Sequence, residues 1–119
     1  MDDLYADYRL IVDASDDAII TKNLEGVISS WNTGAQRMFG YTAAEAVGQP
    51  IAIIIPRELR EEEMEIKRRL RAGERIEHYE TYRISKIGRR IDVSMTVSPI
   101  RNVEGRIIGV FLIGRDISE

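Results

Sequence analysis

The chain has 119 residues, of which 44% are apolar and 31% are charged, and its formal net charge is −3. These values fit one globular domain with one hydrophobic core, and the mixing of basic with acidic residues argues against a nucleic-acid partner. The absence of cysteine excludes disulfides, thiolate catalysis and cysteine-ligated metal, and the single histidine, His78, leaves little material for a histidine-based metal site or a catalytic triad.

No apolar run approaches the roughly 18 residues that a membrane span needs. The first three residues, Met-Asp-Asp, have the wrong charge for a signal peptide. We therefore expect a cytoplasmic domain that makes no membrane contact through this segment and is not an enzyme by itself.

The chain begins with a predicted amphipathic helix and a predicted β-hairpin. Residues 2–14 carry apolar side chains at helical spacing, namely Leu4, Tyr8, Ile11 and Val12. Residues 18–22 and 27–31 predict two strands, and the Asn-Leu-Glu-Gly sequence at 23–26 predicts the turn between them.

Two short helices are predicted next. Asn32 is a good N-cap for the first helix, and Gly40 can end it in a left-handed conformation. Thr42 and Glu45 have the spacing of a capping box at the start of the second helix, and Gly48 is expected to end it. Since each helix has only about two turns, neither is stable without tertiary packing.

A longer helix is predicted from Pro56 to about Ala72, with Gly73 as its C-terminal cap. One face of this helix carries three apolar residues and a carboxylate: Leu59, Glu63, Ile66 and Leu70. A carboxylate that faces a core is costly unless it is paired or hydrogen-bonded.

The charged run over residues 57–71 of this helix predicts a solvated face rather than a binding surface. Favourable pairs four residues apart are expected between Glu63 and Lys67 and between Glu65 and Arg69. Acidic residues early and basic residues late in the run also suit the helix dipole.

Three further strands are predicted at roughly 76–85, 90–99 and 107–115, with turns at 86–89 and 102–105. Apolar residues alternate with polar ones in the second of these strands, so its polar face should meet solvent and its apolar face should be buried. The apolar face carries Ile91, Val93, Met95 and Val97. The last strand is apolar at both parities, so one face should meet the central helices and the other the N-terminal helix or a second subunit. The order of elements predicts an α+β fold with one antiparallel sheet.

The sequence resembles the PAS domain family over nearly its whole length. The matching segments are Asp17-Ala18-Ile19, Gly26-Val27-Ile28, Trp31-Asn32, Phe39-Gly40-Tyr41, Glu45-Ala46-Val47-Gly48, Ile55-Pro56, Gly88, and Gly109 to Asp116-Ile117-Ser118. The resemblance implies a five-stranded antiparallel sheet, with the short helices and the long helix on one face and a small-molecule pocket between them. The N-terminal helix then lies outside, so we divide the chain into a capping helix, 1–15, and a PAS domain, 16–119.

Strand parity and this resemblance together give the candidate pocket residues. They are Ile20, Phe39, Ile54, Glu63, Ile66, Leu70, Tyr79, Met95, Val97, Val110 and Leu112. Glu63 is either a polar anchor for a ligand amine or hydroxyl, or a rim residue that reaches solvent or pairs with Lys67. Tyr79 is the best polar handle, since its hydroxyl needs a partner if it is buried. The alternative for the whole set is a filled core without a ligand.

The resemblance also bears on cofactors. Haem-binding members of the family carry their proximal histidine on the long helix, at a position near Glu63, and this helix has no histidine. His78 lies beyond the helix and is expected to be an ordinary strand residue. Light-sensing members use a reactive cysteine that this chain lacks. We therefore expect neither histidine-ligated haem nor cysteine-linked flavin, and the sequence does not identify a cofactor.

Arg115 and Asp116 fall in the family's output motif, where Asp116 braces the start of a following helix; the alternative is a strand end in solvent. The resemblance implies a sensor domain cut from a larger signalling protein and attached to an effector such as a histidine kinase or a diguanylate cyclase. It also implies a homodimer formed through the N-terminal helix and the outer face of the sheet. The alternative function is a dimerisation and spacing module that binds no ligand.

Overall fold

Five strands form one antiparallel sheet in the computed structural model of the chain, which describes residues 10–118. The strands are β1 (Ala18–Lys22), β2 (Ile28–Trp31), β3 (Ile76–Ile84), β4 (Arg90–Arg101) and β5 (Ile107–Asp116). Their order across the sheet is β2-β1-β5-β4-β3, so the last strand of the chain lies at the centre, between β1 and β4. The predicted α+β fold with a five-stranded antiparallel sheet is confirmed.

Between β2 and β3 the chain forms a series of short helices and one longer helix. The α-helices are α1 (Thr33–Phe39), α2 (Ala43–Ala46) and α3 (Arg60–Arg71), and two 3₁₀ turns, Ile51–Ile54 and Arg57–Leu59, lie between α2 and α3. The prediction that the long helix starts at Pro56 is wrong, because this residue has an extended conformation with ψ 148° and a 3₁₀ turn follows it. The predicted end is confirmed, since Gly73 has φ 86°.

Asn32 fixes the start of α1 and ties it to its surroundings. Its side-chain Oδ1 accepts hydrogen bonds from the backbone N–H of Ala35 at 2.9 Å and of Ile19 at 2.8 Å. Its Nδ2 donates to the carbonyl oxygens of Val12 at 2.8 Å and Asp17 at 3.0 Å. The predicted N-cap is therefore confirmed, and the same side chain also joins α1 to β1 and to the segment before it.

The other predicted helix ends are nearly as the sequence indicates. Gly40 ends α1 with φ 82°, and Thr42 and Glu45 form the predicted capping box at α2. The last residue of α2 is Ala46 and Val47 caps it, and the predicted terminator Gly48 follows with φ 93°, the same spacing as Gly73 after α3. These caps hold two helices that are too short to be stable alone.

The N-terminal prediction is only partly described by the structure. Residues 10–14 are helical, and Leu10 and Ile11 are 67% and 69% exposed. Residues 1–9, which include Leu4 and Tyr8, lie outside the described residues. The division of the chain at residue 15 therefore stays a prediction.

The core lies between the helices and the inner face of the sheet. The predicted alternation in β4 is confirmed, because Ile91, Val93, Met95 and Val97 are all buried. In β5, alternate residues face the core, whereas Phe111 and Ile113 on the outer face are half-buried. Within residues 10–118 no helix is long and apolar enough to span a membrane.

Gly34 lies where α1 passes closest to the chain before β1. A Cβ added to Gly34 would be 2.1 Å from the carbonyl oxygen of Asp17, which is itself held by Asn32. Although alanine stabilises an ordinary helix by roughly 1 kcal/mol relative to glycine, the clash dominates here. We expect Gly34→Ala to lower the free energy of unfolding by about 3 kcal/mol or more, measured by urea denaturation.

The matched control is Gly114→Ala in β5. A Cβ at Gly114 would lie 3.8 Å from the Cβ of Ala18, which is an ordinary van der Waals distance. We expect this variant to stay within about 1 kcal/mol of the wild type. Similar losses in the two variants would contradict the proposed close approach of α1.

Candidate functional site

The predicted pocket residues form the packed core of the domain. Nine of them are at most 6% exposed: Ile20, Phe39, Ile54, Ile66, Leu70, Met95, Val97, Val110 and Leu112. Tyr79 packs against this core and is half-buried, as is Glu63. The structure therefore brings the predicted set together, and its role in binding a ligand stays a prediction.

Glu63 forms a buried ion pair with Lys22, the last residue of β1. Lys22 Nζ lies 3.0 Å from Glu63 Oε1, and the two side chains are 3% and 15% exposed. Lys22 points inward because it has the same parity as Ala18 and Ile20 in the strand. The expected pairing of Glu63 with Lys67 is wrong, because Glu63 pairs with Lys22 instead. The buried ammonium group of Lys22 needs a counter-charge, whereas the ammonium group of Lys67 can reach solvent.

A second buried cation, Arg83 of β3, is held by the neighbouring carboxylate, Glu62. Arg83 is 1% exposed, and its Nη1 donates to Glu62 Oε1 at 3.1 Å, to Thr81 Oγ1 at 3.3 Å and to the carbonyl oxygen of Tyr82 at 2.9 Å. The Thr81 hydroxyl in turn donates to the carboxylate of Glu62. Arginine stays protonated at any ordinary pH, so this carboxylate is needed inside the fold.

Sequence reasoning missed both cations, although a signal for each was present. The inward parity of Ile20 extends to Lys22, and the inward prediction for Tyr79 extends to Thr81 and Arg83. The expected solvated face of α3 is therefore wrong for Glu62 and Glu63, which face the sheet.

The remaining ion pairs of α3 also differ from the i, i+4 pattern. Glu65 pairs with Arg68 instead of Arg69, and Arg69 pairs with Glu74 beyond the end of the helix. These side chains are substantially exposed, so several geometries compete at little cost.

Tyr79 borders the Arg83 cluster. Burial, and after it the neighbouring carboxylate of Glu62, raise the pKa of the Tyr79 hydroxyl above its usual range, because both disfavour the phenolate. The polar group that the sequence singled out for a ligand thus faces a carboxylate of the protein itself.

The two ion pairs connect α3 to separated parts of the sheet. Glu62 and Glu63 are consecutive, and they reach β3 and β1, which have β4 and β5 between them in the sheet. One long helix packed on a face of a five-stranded antiparallel sheet, with short helices beside it, is the arrangement that the family resemblance implies. The model of the PAS fold family matches residues 6–117.

The chain belongs to the PAS fold family. PAS domains commonly serve as sensory input modules of signal-transduction proteins and are generally not catalytic. The structure is similar to the PAS domain of a protein from Colwellia psychrerythraea, with 25% identity, a TM-score of 0.86 and coverage of 96% of this chain and 97% of that one.

Two other solved structures show the same fold at lower identity. The PAS domain of an HTR-like protein from Haloarcula marismortui has a TM-score of 0.82 at 18% identity, covering 98% of this chain and 93% of that one. A domain of a sensory box sensor histidine kinase/response regulator from Geobacter sulfurreducens has a TM-score of 0.76 at 18% identity, covering 95% and 94%.

The C-terminal end of this PAS domain is tied to the sheet. Arg115 Nε lies 3.5 Å from Asp17 Oδ1, next to the start of β1. Asp116 Oδ1 accepts a hydrogen bond from the N–H of Ser118 at 2.8 Å, and the backbone of Asp92 in β4 bonds to Ile117 and to the Ser118 side chain. Asp116 thus braces the residues that follow β5, and its role in signal output stays a prediction.

His78 lies outside these clusters. It is exposed, with φ 51°, at a bulge of β3 between Ile76 and Tyr79, so it is not the ordinary strand residue that we expected. In the part of the chain that the structure describes, no three histidine, aspartate or glutamate side chains are grouped to hold a metal ion.

Removing Glu62 leaves the guanidinium of Arg83 buried without its carboxylate. We expect Glu62→Ala to lower the free energy of unfolding by about 3 kcal/mol, because an uncompensated buried charge is costly. Glu65→Ala on the same helix removes only an exposed pair, and we expect a change of about 0.5 kcal/mol or less. Urea denaturation at neutral pH measures both variants.

A double variant separates the charge from other effects of the substitution. Adding Arg83→Met to Glu62→Ala removes the unpaired cation and should restore most of the lost stability. If the double variant is as unstable as Glu62→Ala alone, the buried charge is not the cause of the loss.

Proposed function

We propose that this PAS domain is an input module of a larger signalling protein. A ligand or partner changes the packing of α3 against the sheet, and the change passes to an attached effector such as a histidine kinase or a diguanylate cyclase. A cytoplasmic location is part of this proposal, because both kinds of effector act on cytoplasmic nucleotides. The fold shared with the Geobacter sensor kinase domain supports this class of effector by analogy.

The observation that carries the proposal is the position of β5. Val110 and Leu112 on its inner face lie in the core with the helices, whereas Phe111 and Ile113 lie on its outer face. The strand ends at Asp116, which leads directly into the C-terminal residues. A shift of the helices can therefore reach both the outer face and the chain end through one central element.

We further propose that the outer face is a homodimer contact. It carries an open cleft of about 790 Å³ with an apolar floor that includes Ile19, Ile100, Phe111 and Ile113. Val12 of the N-terminal helical segment borders the cleft, and Leu10 and Ile11 of the same segment are exposed. In the proposed dimer, a second copy of the domain covers these residues. Large exposed apolar patches mark interaction sites, and a symmetric dimer buries the same patch on both copies.

The packed core favours a second candidate function, a dimerisation and spacing module without a ligand. Against it stand the buried Lys22 and Arg83, since a core that only had to be filled would not need two cations. Each of their ion pairs with α3 is either formed or broken. In this proposal α3 therefore moves between distinct positions on the sheet and does not slide gradually. We therefore prefer the sensor.

The dimer is tested by placing a charge on the outer face. We expect the wild-type domain to dimerise in sedimentation velocity, and Ile113→Lys to weaken the dimer by at least about tenfold, because the ammonium must be desolvated at the contact. Ile87→Lys is the matched control, since Ile87 is 88% exposed and lies in the β3–β4 turn. A monomeric wild type, or equal effects of both variants, would contradict the proposed contact.

The relay is tested by the same measurement on α3. Glu62→Gln alters the helix on the opposite face of the sheet, and we expect it to shift the dimer dissociation constant by about threefold or more. Glu65→Gln, the exposed control on the same helix, should leave this constant unchanged. A static spacing module predicts no shift in either variant.

A further inference from the structure

A small cleft beside the β1–β2 turn brings three basic side chains together. It lies between residues 23–26, the C-terminal half of α3 and the start of β5, and it has a volume of about 20 Å³. Lys22, Lys67 and Arg71 contribute positive charge, and its apolar lining includes Leu70, Ile107 and Val110. A cavity of this size holds one water molecule or one oxygen atom of a larger group.

Lys22 makes this cleft different from a set of surface lysines. Its side chain is 3% exposed, and Glu63 is the only partner of its ammonium group among the residues that the structure describes. An ammonium group has three N–H donors, and donors left without acceptors inside a protein cost free energy. Lys22 lines the cleft, so an acceptor that binds there can use an N–H donor that Glu63 does not engage.

The other two cations add to an excess of positive charge. Lys67 Nζ lies 3.7 Å from the point that a Cβ on Gly26 would occupy, so the ammonium group sits over the β1–β2 turn. Within residues 10–118, neither Lys67 nor Arg71 forms an ion pair. Glu63, the carboxylate four residues before Lys67, is already engaged by Lys22.

We propose that this cleft binds a small aliphatic carboxylate. One carboxylate oxygen enters the cavity beside Lys22, and the other oxygen accepts from Lys67 and Arg71. The aliphatic part lies along Leu24 and Ile107 at the rim. A phosphate group fits less well, because it has no apolar part to contact the rim.

This site does not rest on the proposed relay or on the dimer. It differs from the predicted interior pocket, of which only Leu70 and Val110 line the cleft. A carboxylate bound here would contact α3, β1 and β5 together.

The test is a titration of the 119-residue chain, followed by backbone amide NMR, with hexanoate, acetate and inorganic phosphate, each at an ionic strength matched with chloride. We expect hexanoate to shift the amides of residues 23–26 and to bind at least about threefold more tightly than acetate, because of its apolar part. Phosphate should bind more weakly than hexanoate. Phosphate binding as tight as hexanoate would overturn the assignment to a carboxylate.

Charge variants locate the site. Lys67→Gln should weaken hexanoate binding by about three- to fivefold, the effect of losing one partly exposed charged contact. Arg89→Gln removes the same charge from the exposed β3–β4 turn and should have no effect. Equal losses in both variants would mean general attraction to positive charge and would overturn the site.

Glu63→Gln gives a change in the opposite direction. It releases Lys22 from its internal carboxylate, so hexanoate should bind about threefold more tightly and raise the melting temperature more than in the wild type. If this variant does not fold, the Lys67→Gln comparison still decides. The absence of any hexanoate-dependent shift at residues 23–26 would overturn the proposal and leave the dimer measurements unaffected.

Discussion

Two cations buried on the inner face of the sheet need carboxylates, and this need determines where α3 lies. Lys22 comes from β1 and Arg83 from β3, which are separated in the sheet by β5 and β4. Consecutive residues of one helix, Glu63 and Glu62, neutralise these two cations. Rotation of the helix, or a slide along its axis, breaks both pairs. Such pairs add little net stability compared with apolar residues, but breaking one is costly. They therefore specify a position more than they stabilise the fold.

The position of α3 has consequences for β5 because both contribute to the same core. Ile66 and Leu70 from the helix and Val110 and Leu112 from the strand belong to one buried cluster. The opposite face of β5 carries the apolar surface that we assign to a second copy, and Arg115 near its end lies 3.5 Å from Asp17, just before β1. The proposed signalling role depends on this shared core. Because the interior is closely packed, a shift of α3 can pass to β5 as a discrete change.

Much of the fold could be predicted because its signals are local. Asn32 and Thr42 mark helix starts by their capping chemistry, and the alternation in β4 identifies its inner face. The ion pairs could not be predicted in this way. Glu63 and Lys22 are 41 residues apart, so the local i, i+4 rule gave Lys67 as the partner and tertiary burial decided otherwise. The 3₁₀ turn before α3 was missed because proline is compatible with a helix start as well as with an extended residue.

Amide hydrogen exchange of α3 tests most directly whether the two ion pairs position this helix. In a Glu62→Gln, Glu63→Gln double variant, we expect the amides of α3 to lose at least about tenfold more protection than those of β5, because the helix is released while the strand stays paired on both sides. Equal losses in α3 and β5 would mean that the substitutions only lower global stability. Unchanged protection of α3 would contradict the account, since apolar packing alone would then hold the helix in place.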